Sequence, residues 1–230
     1  MLLAWSDGRG AAMRELRSLP DTPALDAATA IAARGTLLRG PDGPVAVEDV
    51  APGCMVATGL GWARVVWTGA RAPRAGAAGP PLLRVAAHAF GPVPRRPLLL
   101  GRAALVLLDD ARCLPLVGRR VALAPLAALA GAHAVAPVAP PGEVVAHGLA
   151  VMGQAALDVS GLPVASAHPA QSAAAALHTR AARDLADAFP PIAAGRCFEA
   201  ARIPCLTPAE AGALAMAGPV TVARLGAGAA

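Results

Sequence analysis

Few residues in this chain have side chains suited to chemistry, and they are spread far apart. The thiols are Cys54, Cys113, Cys197 and Cys205. None belongs to a CxxC pair, so a thiolate zinc site is not indicated. Four cysteines in 230 residues do not make a disulfide scaffold. Cys197 and Cys205 are close enough in sequence to pair, and the sequence leaves that open. Cys54 reads as a buried apolar filler within a strand. His88 and His133 have no local partner, and His147 stands alone in a strand-like run. An imidazole can move protons near neutral pH, but a lone strand histidine is more often a core or edge residue. Thr36 carries a hydroxyl just after Gly35, a setting in which threonine usually bonds the backbone. Glu48 and Asp49 lie on a turn; solvated charge is the default, with Asp49 placed to accept turn amides. Asp109, Asp110 and Asp158 are the right type for a hard cation, but no spacing supports a ligand set. Neither a metal nor a cofactor is expected.

The elements that must position these groups are short. The organising stretch is 35–56. Gly35-Thr36-Leu37-Leu38 is a strand, Pro41-Asp42-Gly43-Pro44 a turn, and Val45 to Val50 a second strand. Pro52-Gly53 turns the chain into a third strand containing Cys54. Asp49 and Gly53 mark sharp bends. Gly59-Leu60-Gly61 is a hairpin turn into the run Trp62–Thr68, in which Trp62 and Trp67, five apart, face opposite sides. Residues 69–81 read as a Gly/Pro/Ala/Arg loop. Strands follow at 82–86, 97–100, 104–108, 113–117 and 121–123, with a short helix at 125–130. Residues 144–149 and 155–159 pair as a hairpin, and Gly161-Leu162-Pro163 turns the chain away.

The ends differ from this body. Residues 1–20 read as an irregular leader with a helical turn near 11–17. Thr22-Pro23 is placed to cap a helix over 25–33. From 170 to 188 apolar residues recur at helical spacing, including Leu177, Ala181, Leu185 and Phe189. Thr207-Pro208-Ala209-Glu210 is a capping-box pattern that opens a helix to about Met216. A last strand is expected at 221–225.

Composition narrows the function classes. The chain is 56% hydrophobic, but much of that is alanine; aromatics are only 3%, so the core must be aliphatic. All 20 basic residues are arginine and the net charge is +5. A nucleic-acid partner is nevertheless not expected on this pattern, because Arg71, Arg74, Arg95-Arg96 and Arg119-Arg120 are scattered with no aromatic interleaving. The uncharged span 121–142 has membrane-like length, but Pro125, Pro137, Pro140 and Pro141 argue against a spanning helix. It reads instead as a buried helix followed by a Pro-rich loop. With no secretory signal visible, a cytoplasmic location is the default.

Four blocks in order resemble bacterial members of the Hedgehog/intein (Hint) family. They are Gly35-Thr36 with Pro41-Asp42-Gly43, Val47-Glu48-Asp49-Val50 and Pro52-Gly53; then Ala63 to Gly69; then Val93 to Leu107; then His147-Gly148-Leu149 through Ser166. The resemblance implies a β-rich horseshoe of short strands over 30–169, preceded by a leader (1–29) and followed by a helical extension (170–230). It expects an extended segment just before Gly35, in conflict with the helix over 25–33.

It also implies self-cleavage by an acyl shift, which needs a Cys or Ser nucleophile at the first position and histidines to polarise the scissile peptide. By frame those three positions fall at Ile31, Ala104 and Gln154. None of these side chains can form an ester or transfer a proton at neutral pH, and alanines flank Ile31. Thr36, Asp49 and His147 are what a vestigial site would retain. The expected function is therefore a silent Hint-like structural or protein-binding module. The alternatives are self-processing through Thr36 or Cys54, and a basic module binding an acidic partner through its arginine pairs.

Overall fold

The computed structural model describes residues 1–6, 12–19, 25, 31–73, 80–168, 186–190 and 202–226. The protein is mainly β. In chain order the strands are β1 (Leu2–Ser6), β2 (Ala12–Leu16), β3 (Ala32–Ala33), β4 (Leu37–Gly40), β5 (Gly43–Ala46), β6 (Met55–Thr58) and β7 (Gly61–Arg71). They continue as β8 (Leu82–Val85), β9 (Leu98–Gly101), β10 (Leu105–Asp109), β11 (Val121–Pro125), β12 (Val135–Val138), β13 (Ala146–Val151), β14 (Ala156–Val159) and β15 (Leu162–Ala165). Two α-helices are described over their whole length, α1 (Leu114–Val117) and α2 (Pro208–Met216), and residues 186–188 are also helical, with 3-10 turns at Val47–Asp49, Ala111–Cys113 and Leu126–Leu129.

All the described strand pairs are antiparallel, and the strands run as one continuous ribbon in the order β11-β10-β15-β14-β6-β7-β13-β3-β9-β8-β12. The eleven-residue β7 joins its two halves. The N-terminal part of β7 pairs with β6 across the Gly59–Leu60 turn, with Thr58 opposite Gly61 and Met55 opposite Arg64. Its C-terminal part lies between β1 and β13, with Trp67 opposite both Trp5 and Ala150. Period-two alternation of the strand puts Trp67 in the core and leaves Trp62 at the surface. The Trp67 ring stacks on Phe189 at 4.2 Å, and its indole N–H donates to the Ala188 carbonyl at 2.8 Å. Gly69 is required beside it: a Cβ there would lie 2.6 Å from the Trp67 ring.

Several local expectations need correction. Residues 12–16, inside the expected helical turn, form β2, which pairs with β1 and so extends the sheet from β7. Ala32–Ala33 is strand, not helix, because its backbone is held between β13 and β9. The proposed Thr22 cap lies outside the described residues. The strand expected over 45–50 ends at Ala46, and Val47–Asp49 is a 3-10 turn. The expected loop after Gly69 begins only after Arg71, since β13 continues to pair with β7 to that point.

The strand expected over 113–117 is α1, ended by Gly118 at φ +72°. Asp110 caps the 3-10 turn Ala111–Cys113 just before it by accepting the Arg112 backbone N–H. The span 121–142 holds β11, a 3-10 turn and β12 in place of a buried helix. The segments β13 and β14 do not pair with each other; β13 pairs with β7 and β3, and β14 with β15, β6 and β4. The hairpin is β14–β15, closed by Ser160 and Gly161 at φ +53° and +90°. Both central residues have the positive φ that a primed two-residue turn needs, and the Asp158 side chain accepts the Gly161 N–H at 2.7 Å. Leu162 and Pro163 therefore begin β15.

The capping box reads through without change. The Thr207 hydroxyl accepts the Glu210 N–H, and the Glu210 carboxylate accepts the Thr207 N–H at 2.7 Å. Helix α2 packs on β11 and the 3-10 turn after it. Residues 221–225 form a single antiparallel bridge, Val222 to Leu108, and no full strand. The helix expected over 170–188 lies largely outside the described residues.

Candidate functional site

Ile31, which the block resemblance assigns to the nucleophile position, is fixed by its backbone. Its N–H donates to the His147 carbonyl at 3.0 Å, and its carbonyl accepts the Gly101 N–H at 3.1 Å. The side chain is 5% exposed and belongs to the main apolar core. Ala104 is one hydrogen bond further on: its N–H donates to the Gly101 carbonyl at 2.9 Å, and it is buried in the same core. Two of the three frame positions are thus linked through Gly101.

Gln154 lies elsewhere, in the β13–β14 loop. Its Oε1 accepts the N–H groups of Arg202 and Ile203 at 2.7 and 2.6 Å, and its Nε2 donates to the Ile203 carbonyl at 3.3 Å. One amide side chain thereby fastens the segment that leads into α2.

Beside Ile31, across β13, a cleft of about 860 Å³ opens between the β1–β2 hairpin and the start of the organising stretch. Its polar lining includes Arg34, Glu48, Arg71, Glu143 and His147. Glu48 is the best-anchored of these. Its carboxylate accepts the Gly35 N–H at 2.8 Å and lies 3.5 Å from the Arg34 guanidinium. The Gly35 bond, more than the nearby charges of His147 and Arg34, holds its pKa below the usual carboxylate value. Gly35 itself sits at φ +82°, a conformation that glycine adopts without strain. The buried Val47 and Val50 flank the same turn. The Val-Glu-Asp-Val block therefore has a physical role: two valines anchor it and one carboxylate ties it back to the Gly35 turn.

Burial pushes the His147 imidazole below its ordinary pKa; Glu48 opposes that shift and Arg34 adds to it. The shift favours the neutral ring, and among the described residues its buried Nε2 has no hydrogen-bond partner. A neutral imidazole within electrostatic reach of a carboxylate is equipment for proton transfer. Its backbone carbonyl accepts the N–H of an isoleucine, Ile31.

The other candidates are dispersed. Thr36 is buried and does not line this cleft; its backbone N–H and carbonyl are bonded to Ala33 and Val47. Asp49 is exposed, and the carboxylate that bonds a turn amide is Glu48, one residue earlier. Cys54 is exposed in the turn before β6, not buried within a strand, because the backbone pairs with Ala51 and Val65 before the strand begins. Cys197 lies outside the described residues, and with it any pairing to Cys205. Among the described residues no group of three or more His, Cys, Asp or Glu is placed to hold a metal ion. No helix among them is long and apolar enough to cross a membrane.

Sequence reasoning missed the Glu48 and Arg34 contribution. The available signal was a glutamate in a turn that follows a positive-φ glycine, read as solvated charge. The reach from Glu48 back to Gly35 spans thirteen residues, beyond any local rule.

A β ribbon of short strands, with the Gly35 turn, the Val-Glu-Asp block and β13 meeting beside Ile31, defines a Hint-type fold. A family model described as Hint domain matches residues 32–171, more than half of the chain, and the chain belongs to that family. No curated protein and no solved structure gives a significant match.

Proposed function

We propose that this Hint-domain protein does not process itself and acts as a structural or protein-binding module. The observation that carries this reading is Ile31. The family's chemistry starts from a side-chain nucleophile, and here a buried aliphatic side chain occupies that place. Ala104, linked to Ile31 through Gly101, supports it; Gln154, on the other half of the ribbon, adds only that its side chain is committed elsewhere. The first has no proton to give, and the second spends its amide on Arg202 and Ile203. The turns that build the domain persist, with Glu48 still closing on Gly35.

The test is intact mass of the purified chain, incubated with and without a thiol or hydroxylamine. One unchanged species is expected. A fragment beginning at residue 31, or thiol-dependent cleavage anywhere, would overturn the reading.

One observation favours a second reading. Glu48 and His147 line one cleft, with the His147 carbonyl accepting the Ile31 N–H, and Thr36 or Cys54, neither of which lines that cleft, would then have to supply the nucleophile. Changing Thr36 to Val and Cys54 to Ala separates the two: under the second reading one of them abolishes cleavage, and under the first neither changes the mass beyond the substitution.

A further inference from the structure

On a different part of the ribbon lies a second cleft, of about 790 Å³, and neither Ile31 nor His147 lines it. Four segments wall it: the β6–β7 turn, the β13–β14 loop, residues 202–203 and residues 221–225; the ends of β10 and β11 complete it. Its lining is mainly apolar. Leu107, Leu123, Ala156 and Ala165 form an apolar cluster separate from the main core, with Ile203, Ala223 and Leu225 packed on it. Around the mouth, large apolar side chains remain in water: Leu60 is 90% exposed and Met152 54%, with Trp62 and Val121 less so. Single exposed apolar residues need no explanation, but several around one concavity mark a binding site. The volume falls in the range of small-molecule pockets, about 300–1,000 Å³.

The charges on the lining are one-sided. They are Arg64, Arg202, Arg224 and Asp109. Asp109 is already paired, 3.2 Å from the Arg120 guanidinium. Among the described lining residues the arginines outnumber the single carboxylate, with Arg64 also donating to the Gly53 carbonyl at 3.3 Å, and a guanidinium fork matches a planar carboxylate bidentately. Gln154 holds Arg202 and Ile203 in the wall, so the residue at the third family position shapes this cleft and leaves the other untouched. We propose that this cleft binds a small amphipathic carboxylate, its alkyl chain against Trp62, Met152 and Leu225 and its anionic head at Arg64 and Arg224.

Calorimetric titration of the full chain with decanoate, below the concentration at which it forms micelles, is the test. Saturable one-to-one binding is expected. Each buried methylene tightens binding by about fourfold, so hexanoate, four methylenes shorter, should bind about 250-fold more weakly if all four are buried and at least about fourfold more weakly if only one is. Uncharged decanol should also be weaker. Arg64→Gln with Arg224→Gln should loosen decanoate about tenfold and leave decanol unchanged. Met152→Glu, at an exposed position, should abolish binding of both, with thermal melts showing that each variant is folded. Absence of saturable decanoate binding overturns the proposal. So does equal binding of decanoate and decanol, or binding that survives Met152→Glu. None of these readouts depends on whether the chain cleaves itself.

Discussion

At the scale of single residues, hydrogen-bond capacity decides what a position does. A glutamine carbonyl accepts two N–H groups while its amide donates; a neutral imidazole has one acceptor nitrogen. Gln154 uses the two-acceptor capacity on Arg202 and Ile203. Gln154→Ala should therefore cost about 1–3 kcal/mol, the penalty for leaving donors unsatisfied, read as a lower denaturation midpoint with unchanged slope. Gln154→His should recover only part of it.

Two of the residues with displaced pKa values, Asp110 and His147, give testable pH dependences. The side-chain bond to Arg112 lowers the Asp110 pKa from 3.8 to about 2. A carboxylate whose folded pKa is depressed stabilises above its unfolded pKa and loses that contribution as pH falls through the folded one. Asp110→Asn should thus flatten the stability profile between about pH 4 and pH 2. The change is at most about 2 kcal/mol, and smaller because water screens the partly exposed Arg112. His147 works in the same direction higher up. Its folded pKa is lowered from 6.5, chiefly by burial, so its neutral form favours folding and stability falls as pH drops below about 6.5. His147→Gln should remove that slope in melts taken from pH 7.5 down to pH 5.

At the scale of elements, junctions matter more than strand interiors. Helix α2 is short and begins in a reciprocal cap between Thr207 and Glu210. Its last turn is held by Arg112, which donates to the Leu214 carbonyl at 3.1 Å and to the Pro219 carbonyl at 2.8 Å. A cation at the carboxyl end of a helix also complements its dipole. Thr207→Ala should cost about 0.5–2 kcal/mol in thermal or chemical unfolding. In β7, Gly69→Val should destabilise by about 1–3 kcal/mol, because the added carbons meet the Trp67 ring and the backbone cannot yield between two paired strands. Restored stability in a Gly69→Val, Trp67→Leu double variant, relative to Trp67→Leu alone, would identify that clash as the cause.

For the whole molecule, the ribbon separates two regions that a reader of the sequence would merge. Ile31 and Ala104 meet near Gly101 beside the cleft of His147, whereas Gln154 belongs to the apolar cleft on the other half. The arginine pairs are dispersed as well. Arg120 is engaged with Asp109, Arg119 donates to the Arg202 carbonyl, and Arg95 and Arg96 line a smaller groove with Arg39 and Asp158. A basic module binding through both pairs at once would have to span these places. Salt-sensitive retention on an anionic matrix, lost when the two pairs become Gln, would nevertheless support that alternative.

What the sequence determined by itself was the local chemistry. Proline and glycine at 41–43, 52–53 and 59–61 specified turns, alternation specified the Trp62/Trp67 faces, and Thr207 to Glu210 specified a helix start. Each of these depends on residues within a few positions, so the pattern is legible in the chain. The block resemblance added the family and the expectation that Ile31 stands where a nucleophile would. Only the tertiary structure decided the partners: that β1–β2 joins β7, that β13 and β14 part company, that Glu48 closes on Gly35, and that Gln154 serves the C-terminal segment. These pairings join residues far apart in sequence, and strand pairing has no local code. Its register follows from which apolar faces are buried together.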